Sequence, residues 1–357
     1  MIAGTQKEPH RAEGRCGFFV RCVVQSRTLL ARPCTSGDIP PVIRPFTPED
    51  YPALTRIANA ALPDYPSSVA EMEFYDTRRD PKCRQGRWLI ERDSQTVGFG
   101  EYSQRSSAYH PRRFLIDITV EPNSQGLGLG KALYEEVLSA LAEFDPLSVR
   151  AQVRADKSRT LRFLQDRGFA EDMRAFESRL DLAAFDPALW ADAEARVRAS
   201  GIEFKTLREL EDVPGHWRKH HAMGEALAAD VPSAEPRTPV EKSVWLSAVR
   251  SNPSLLHDAY LFAVKGGEYV GISMLKSSVA STDLTTGMTG VRREYRRQGI
   301  ALALKLKTIA WAKQNGYSQI KTWNEANNQG MLGINERLGF VRQPAWLDMV
   351  KVLKEEC

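Results

Sequence analysis

FLIDITVEPNSQGLGLG, Phe114–Gly130, and TGMTGVRREYRRQGIA, Thr286–Ala301, are two forms of one pattern. Each is an apolar run, a short polar turn, and then Gln125-x-x-Gly128-x-Gly130 or Arg296-x-x-Gly299-x-Ala301. Apolar residues then return at helical spacing, Leu133, Val137, Leu138 and Leu141 in one copy, Leu302, Leu306, Ile309 and Ala310 in the other. The pattern predicts a strand, a turn and a helix, in that order. Glycine or alanine at the turn keeps side chains clear, so successive amides can face outward where the helix dipole favours negative charge. Such a turn suits a diphosphate. A single glycine-rich turn is equally what a tight connection without a ligand looks like.

The spacing of the copies adds information. Val120 and Val291, Gln125 and Arg296, Gly128 and Gly299, Leu133 and Leu304, Val149 and Ile320, Leu161 and Leu332, and Gly168-Phe169 and Gly339-Phe340 all pair at a separation of 171. Fixed register over a domain-sized stretch is the mark of a duplication rather than of a short-repeat solenoid.

A strand ending in Val, a Q/R-x-x-G-x-G/A turn, an amphipathic helix, another strand, and a helix closing in Gly-Phe resembles the GNAT N-acetyltransferase superfamily. The likeness covers nearly everything beyond residue 40, twice, in a tandem arrangement similar to that of mycothiol synthase and related bacterial enzymes. It implies acetyl-coenzyme A as co-substrate, with its pyrophosphate at Gln125, Gly126, Leu127, Gly128, Leu129, Gly130 and Lys131 in one copy. In the other, Arg296, Arg297, Gln298, Gly299, Ile300 and Ala301 are the counterparts. It also implies that backbone groups around Val120 and Val291 polarise the thioester carbonyl.

The chain has 357 residues, 42% hydrophobic and 26% charged, which suits two soluble globular domains. Net charge is +4, and the first 40 residues hold a surplus of three (six Lys/Arg against Glu8, Glu13 and Asp38), so the rest carries only +1. That argues against a nucleic-acid-binding surface. Five cysteines, Cys16, Cys22, Cys34, Cys83 and Cys357, lack metal spacing or close pairing, and reduced thiols in a cytoplasmic protein are expected. No apolar run reaches the ~18–20 residues of a spanning helix.

Residues 1–40 show no period and are read as a disordered or non-native extension, with an organelle-targeting segment as the alternative. Residues 41–185 form the first domain, 186–201 a helical linker, and 202–357 the second domain. The fold class is α/β, each domain a mixed, mostly antiparallel sheet flanked by helices. In the first, Thr47 and Pro48 open a helix to Ala61, Arg87–Glu91 and Thr96–Tyr102 form a hairpin, and Arg174–Leu182 is the closing strand. In the second, one helix is expected over about Leu207–Ala229, then a hairpin around Lys265-Gly266-Gly267-Glu268. Asp64-Tyr65-Pro66-Ser67 matches Asp230-Val231-Pro232-Ser233; the resemblance implies that this region helps cover the acceptor.

Family members commonly carry a tyrosine that protonates the departing sulfur five residues before the closing Phe; here Leu164 and Asn335 stand there. Both copies depart from the family, and loss of a general acid costs typically 10²–10⁴ in rate unless another group substitutes. In the second copy, Asn324, Asn327 and Asn335 resemble a subset in which asparagine holds the pantetheine arm; Val153, Asp156 and Leu164 correspond in the first. That favours the second copy as catalytic. Only the first offers an acid in the strand before the turn, Asp117, as candidate base; its structural alternative is a surface ion pair with Arg112 or Arg113. His216 and His220 share a helix face, with His221 beside them, but no glutamate or cysteine completes a metal motif, so no metal is expected. There is no G-x-S-x-G elbow and no G-x-x-x-x-G-K-[ST] loop.

These readings lead to an acetyl-CoA-dependent N-acetyltransferase of a small primary amine. Its expected state is a monomer whose copies form an internal pseudo-dimer, without nucleic-acid or membrane partners. The alternatives are one working copy beside a non-catalytic one, and a non-catalytic acetyl-CoA-binding protein.

Overall fold

The computed structural model describes residues 40–356; the expectations for residues 1–39 and for Cys357 lie outside the described residues. The first copy contains β1 (Val42–Pro45), α1 (Tyr51–Ala61), α2 (Val69–Thr77), β2 (Gln85–Arg92), β3 (Gln95–Ser103), β4 (Arg113–Val120), α3 (Leu129–Leu141), β5 (Ser148–Arg154), α4 (Ser158–Gln165) and β6 (Ala170–Asp181). Helix α5 (Ala191–Ala199) links it to the second. There β7 (Glu203–Thr206), α6 (Leu207–Leu210), α7 (His216–Ala228), α8 (Lys242–Arg250), β8 (Leu255–Lys265), β9 (Glu268–Ser278) and β10 (Ser281–Val291) lead to the second turn. Helix α9 (Ile300–Gln314), β11 (Gln319–Glu325), α10 (Gln329–Arg337), β12 (Val341–Arg342) and β13 (Trp346–Val352) complete the chain.

Local chemistry sets these boundaries. Thr47 and Asp50 form a capping box before α1, and Ser68 and Glu71 form another at α2, each satisfying amides that a helix start leaves open. The single helix expected over Leu207–Ala229 is instead two, because Pro214 cannot continue the hydrogen-bond ladder and Gly215 turns left-handed at φ 81°. Helix α2 carries no strong apolar period and is not visible as a helix in the sequence alone.

The sheets of the two copies merge into one, in the order β1-β2-β3-β4-β5-β13-β6-β11-β10-β9-β8-β7. The closing strands are exchanged. Strand β13, at the end of the chain, pairs with β5 of the first copy from Trp346↔Arg154 to Val352↔Ser148. Strand β6, expected to close the first sheet, pairs with β11 of the second from Gln319↔Asp181 to Glu325↔Ala175. Helices α3 and α4 cover one face of the first half and α1 lies against the other, where Tyr51, Leu54 and Ile57 meet Leu89 and Phe99.

Charges line the seam in the 171-residue register. Arg150 on β5 contacts Asp348 on β13 at 3.1 Å, Asp172 at 2.7 Å and Glu235 at 3.3 Å. Its counterpart Lys321 on β11 meets Asp283 at 2.7 Å, and Glu177 on β6, the counterpart of Asp348, accepts from Arg179 at 2.6 Å and from Trp346 at 3.2 Å. Tyr65 also donates to Glu177. Of these contacts, Arg150 with Asp348 and Glu235, and Trp346 with Glu177, cross between the copies.

Candidate functional site

Both turns have the geometry their sequence predicts. In the first, Gly126 and Gly128 take positive φ, 90° and 83°, and Gly128 caps α3. In the second, Arg297 and Gly299 do so at 65° and 81°, and Gly299 caps α9. The first amides to bond backward in each helix are those of Ala132, to Gly128, and Ala303, to Gly299. The amides of Gly126 through Lys131 and of Arg297 through Leu302 have no acceptor among the described residues, and both turns are exposed. Each is an open row of donors at a helix start.

The residue that opens each motif braces the turn. Gln125 donates to the carbonyl of Val120 at 3.0 Å, and Arg296 donates to the carbonyl of Val291 at the same distance. Arg296 and Arg293 also bind Asp230, whose carboxyl they hold below the usual carboxylate range. Sequence reading did not identify Arg159. Its guanidinium lies where a Cβ at Gly126 would come within 2.8 Å, so the first turn carries a cation without a carboxylate partner among the described residues. Lys131 pairs loosely with Glu135 at 3.7 Å.

Next to each turn two parallel strands part. The β4–β5 ladder holds only from Arg113↔Ser148 to Leu115↔Arg150, and the β10–β11 ladder only from Asp283↔Gln319 to Thr285↔Lys321. Beyond these points each pair opens a wedge whose mouth lies at the turn. The two wedges differ in their lining. In the first, Ile116, Tyr134, Val153 and Leu164, from β4, α3, β5 and α4, are all buried in one apolar cluster. Their counterparts in the second are Gly287, Lys305, Asn324 and Asn335. The first wedge is filled and apolar; the second is smaller in side chain and polar.

Asn335 is 1% exposed and donates to the Asn324 side chain at 2.7 Å, while its own Oδ1 is buried without a partner. Lys305 is 3% exposed, sits 5.0 Å from the centre of the Phe340 ring, and is pushed down to about pKa 8 by burial. Strand β10 also bulges: its register with β9 shifts between Thr286 and Met288, leaving Gly287 outside the ladder. Strand β4 pairs with β3 from Ser103↔Leu115 to Gly98↔Val120 without interruption. Asn327 is exposed and bonds Glu325, through its side chain at 2.9 Å and its amide at 2.8 Å.

Asp117 does not pair with Arg112 or Arg113, which bind Asp145 and Glu356. It stands opposite Glu101 on β3, which stands opposite Arg87 on β2, and it accepts from the Thr119 hydroxyl at 2.8 Å. The residue is open to solvent, but protein crowds its carboxyl; that desolvation raises its pKa, against weaker opposing pulls from Thr119 and Arg87. His216 and His220 share a face of α7 as expected and bond tyrosine hydroxyls, His216 to Tyr269 at 2.8 Å and His220 to Tyr260. Burial lowers them to about 4 and about 3, so they are neutral core residues. Among the described residues no His, Cys, Asp or Glu group is placed to hold a metal ion, and no helix is long and apolar enough to cross a membrane.

Two cavities flank the exchanged strands. The larger, about 490 Å³, is bounded by Arg179, Phe185, Trp190, Arg337 and Val341, and neither turn contributes to it. The smaller, about 200 Å³, lies over the closed end of the second wedge, between Asp283, Thr285 and Lys321 of the second copy and Asp64–Ser67 of the first.

The family model for the acetyltransferase (GNAT) family matches residues 52–169 and again 221–340. The chain belongs to the GNAT acetyltransferase family. It is thereby an acyl-CoA-dependent acyltransferase built from two GNAT domains in tandem. Among solved structures it is similar to a tandem GNAT protein of the clavulanic acid biosynthesis pathway, at 17% identity and a TM-score of 0.69, over 89% of this chain and 100% of that one. It is also similar to a GCN5-related N-acetyltransferase from Sphaerobacter thermophilus, at 20% identity and a TM-score of 0.65, over 89% and 97%. These likenesses extend to the fold. No curated protein matches the chain.

Proposed function

We propose that the protein transfers an acetyl group from acetyl-CoA to a primary amine of a small molecule, with the chemistry in the second GNAT domain and the first as a non-catalytic partner. The observation that carries this reading is the contrast between the wedges: only the second joins free turn amides to a polar, bulged interior.

In this reading the amides of Arg297–Leu302 hold the coenzyme diphosphate, and the pantetheine arm enters between β10 and β11. Gly287 lies outside the ladder and frees a stretch of β10 backbone, where polar groups can meet the carbonyl. Asn335 supplies an unused acceptor to an amide N–H of the arm, and Lys305 places positive charge in a water-poor cleft where a thiolate departs. The first turn keeps its amides, with Gln125, Gly128 and Arg159, but Tyr134 and Leu164 occupy the space an arm would take. Asp117 belongs to this closed half, and its raised pKa reflects crowding.

Thiol release with acetyl-CoA and a panel of amines tests the reading. Turnover is expected, and Gly299→Val is expected to abolish it, since a β-branched residue does not adopt φ 81°. Gly128→Val is expected to leave most of it. Thiol release that follows Gly128 and ignores Gly299 reverses the assignment; none with any amine contradicts it.

A further inference from the structure

If the second domain carries the reaction, its base is missing from the usual place. Met288, the counterpart of Asp117, cannot take a proton. The acceptor's proton has to go to a side chain that reaches the β10 bulge from another strand.

Lys276 on β9 does so. It lies opposite Thr285 in the ladder and lines the 200 Å³ cavity. A Cβ at Gly287 would lie 3.0 Å from its Cε, so the glycine is what lets the lysine stem cross β10 at the bulge. The side chain is mostly buried and makes no ion pair or hydrogen bond among the described residues. Other charged and titratable groups facing the cavity are Glu71 and Tyr75 from α2, Asp64 and Tyr65 from the loop before it, and Asp283 and Lys321 on β10 and β11. Lys321 and Asp283 neutralise each other at 2.7 Å, and Asp64 lies between Arg154 and Arg179 at 2.9 and 3.0 Å.

Glu71 keeps its charge. Burial opposes that charge, but the Ser68 amide and hydroxyl, Ser278 and Ser254 outweigh it and hold the pKa below the usual range. The cavity thus has one committed carboxylate, contributed by the first domain, to draw in a cation, and one lysine with no counter-ion. Burying an uncompensated ammonium is costly, so burial lowers the Lys276 pKa and favours the free amine.

We propose that Lys276 is the general base of the second domain and receives the proton of the acceptor ammonium in a cavity that the first domain closes. This rests on the acetyl-transfer reading. Neutral Nζ takes one proton from R–NH₃⁺, and the freed pair attacks the thioester carbonyl carbon. The C–N bond forms, the C–S bond breaks, and its electron pair moves to sulfur. The second proton leaving nitrogen neutralises the thiolate, and Lys276 returns its own to water. The first domain then serves the reaction by walling the acceptor site, not by binding coenzyme.

The test compares wild type, K276M, K276R and G287A across pH, with acetyl-CoA affinity measured separately. Expected are a kcat lowered 10²-fold or more in both lysine variants, an unchanged acetyl-CoA Kd, and loss of the inflection at which the wild-type pH profile levels off, the K276M rate rising in proportion to hydroxide without a plateau. Arginine keeps the charge but cannot give up its proton, so a K276R enzyme near wild-type rate would overturn the base and leave only an electrostatic anchor. K276M at wild-type rate would overturn the proposal outright. G287A, whose new methyl meets the flexible side chains of Met274, at Cε and Cγ, and Lys276, at Cε, and no backbone among its three nearest atoms, should stay folded and lose kcat in parallel; a folded G287A at full rate would also count against it. A wild-type enzyme inactive with every amine would instead overturn acetyl transfer itself, and this proposal with it.

Discussion

At the scale of single residues, the protein separates positions that hold the fold from positions that hold a reactant. His216 shows how a suggestive residue can belong to the first group. Its pKa is about 4 in the folded chain against 6.5 unfolded, because burial disfavours the charged ring. Between these values the unfolded chain binds more protons, so stability rises with pH across the window and is lost as pH falls from 6.5 toward 4. For His216 alone the loss is about 3 kcal/mol, and His220 adds to it. Calorimetric melting at pH 7 and pH 5 should show a marked drop at the lower pH; equal melting temperatures would mean that the rings are hydrated. The glycines of both turns were legible in the sequence because only small or left-handed residues fit there. Lys276 was not, since its meaning depends on the missing side chain at Gly287 on the next strand. Lys305 was not legible either: the 171-residue register sets it opposite Tyr134, but Lys131 and Leu302, and Glu135 and Leu306, differ as much in the same helix.

At the scale of elements, the decisive feature is where ladders stop. Alternating apolar strands gave no sign that β4 and β5, or β10 and β11, pair for only three residues each. The exchange of β6 and β13 was equally hidden, because both strands read as ordinary closing strands and nothing local says which neighbour they join. The 171-residue register sets Arg150 against Lys321 and Glu177 against Asp348, but only Arg150 and Asp348 pair with each other; Lys321 goes to Asp283 and Glu177 to Arg179, so the register alone did not reveal the exchange. Arg150→Met should cost about 3–5 kcal/mol, as it strands the buried Asp348 carboxylate. Denaturant titration would read this as a lower midpoint with unchanged slope. A cost under about 1 kcal/mol would mean that water reaches the seam.

At the scale of the whole molecule, the exchanged strands make the two copies one folding unit while leaving two separate turns. Ending the chain after residue 343 removes β13 from between β5 and β6 and should unfold the first half, though every residue deleted lies in the second. A truncated protein with cooperative melting and native circular dichroism would contradict that. This architecture also explains why duplication need not mean two active sites. The wedge of the first copy is lined by Ile116, Tyr134, Val153 and Leu164, which add to its core, whereas Gly287, Lys305, Asn324 and Asn335 stand at those positions in the second.

Titration calorimetry with acetyl-CoA tests this division most directly. The expected result is a single site per chain, lost in Gly299→Val and kept in Gly128→Val. Two equivalent sites, or one that disappears only with Gly128, would contradict the assignment of the chemistry to the second domain.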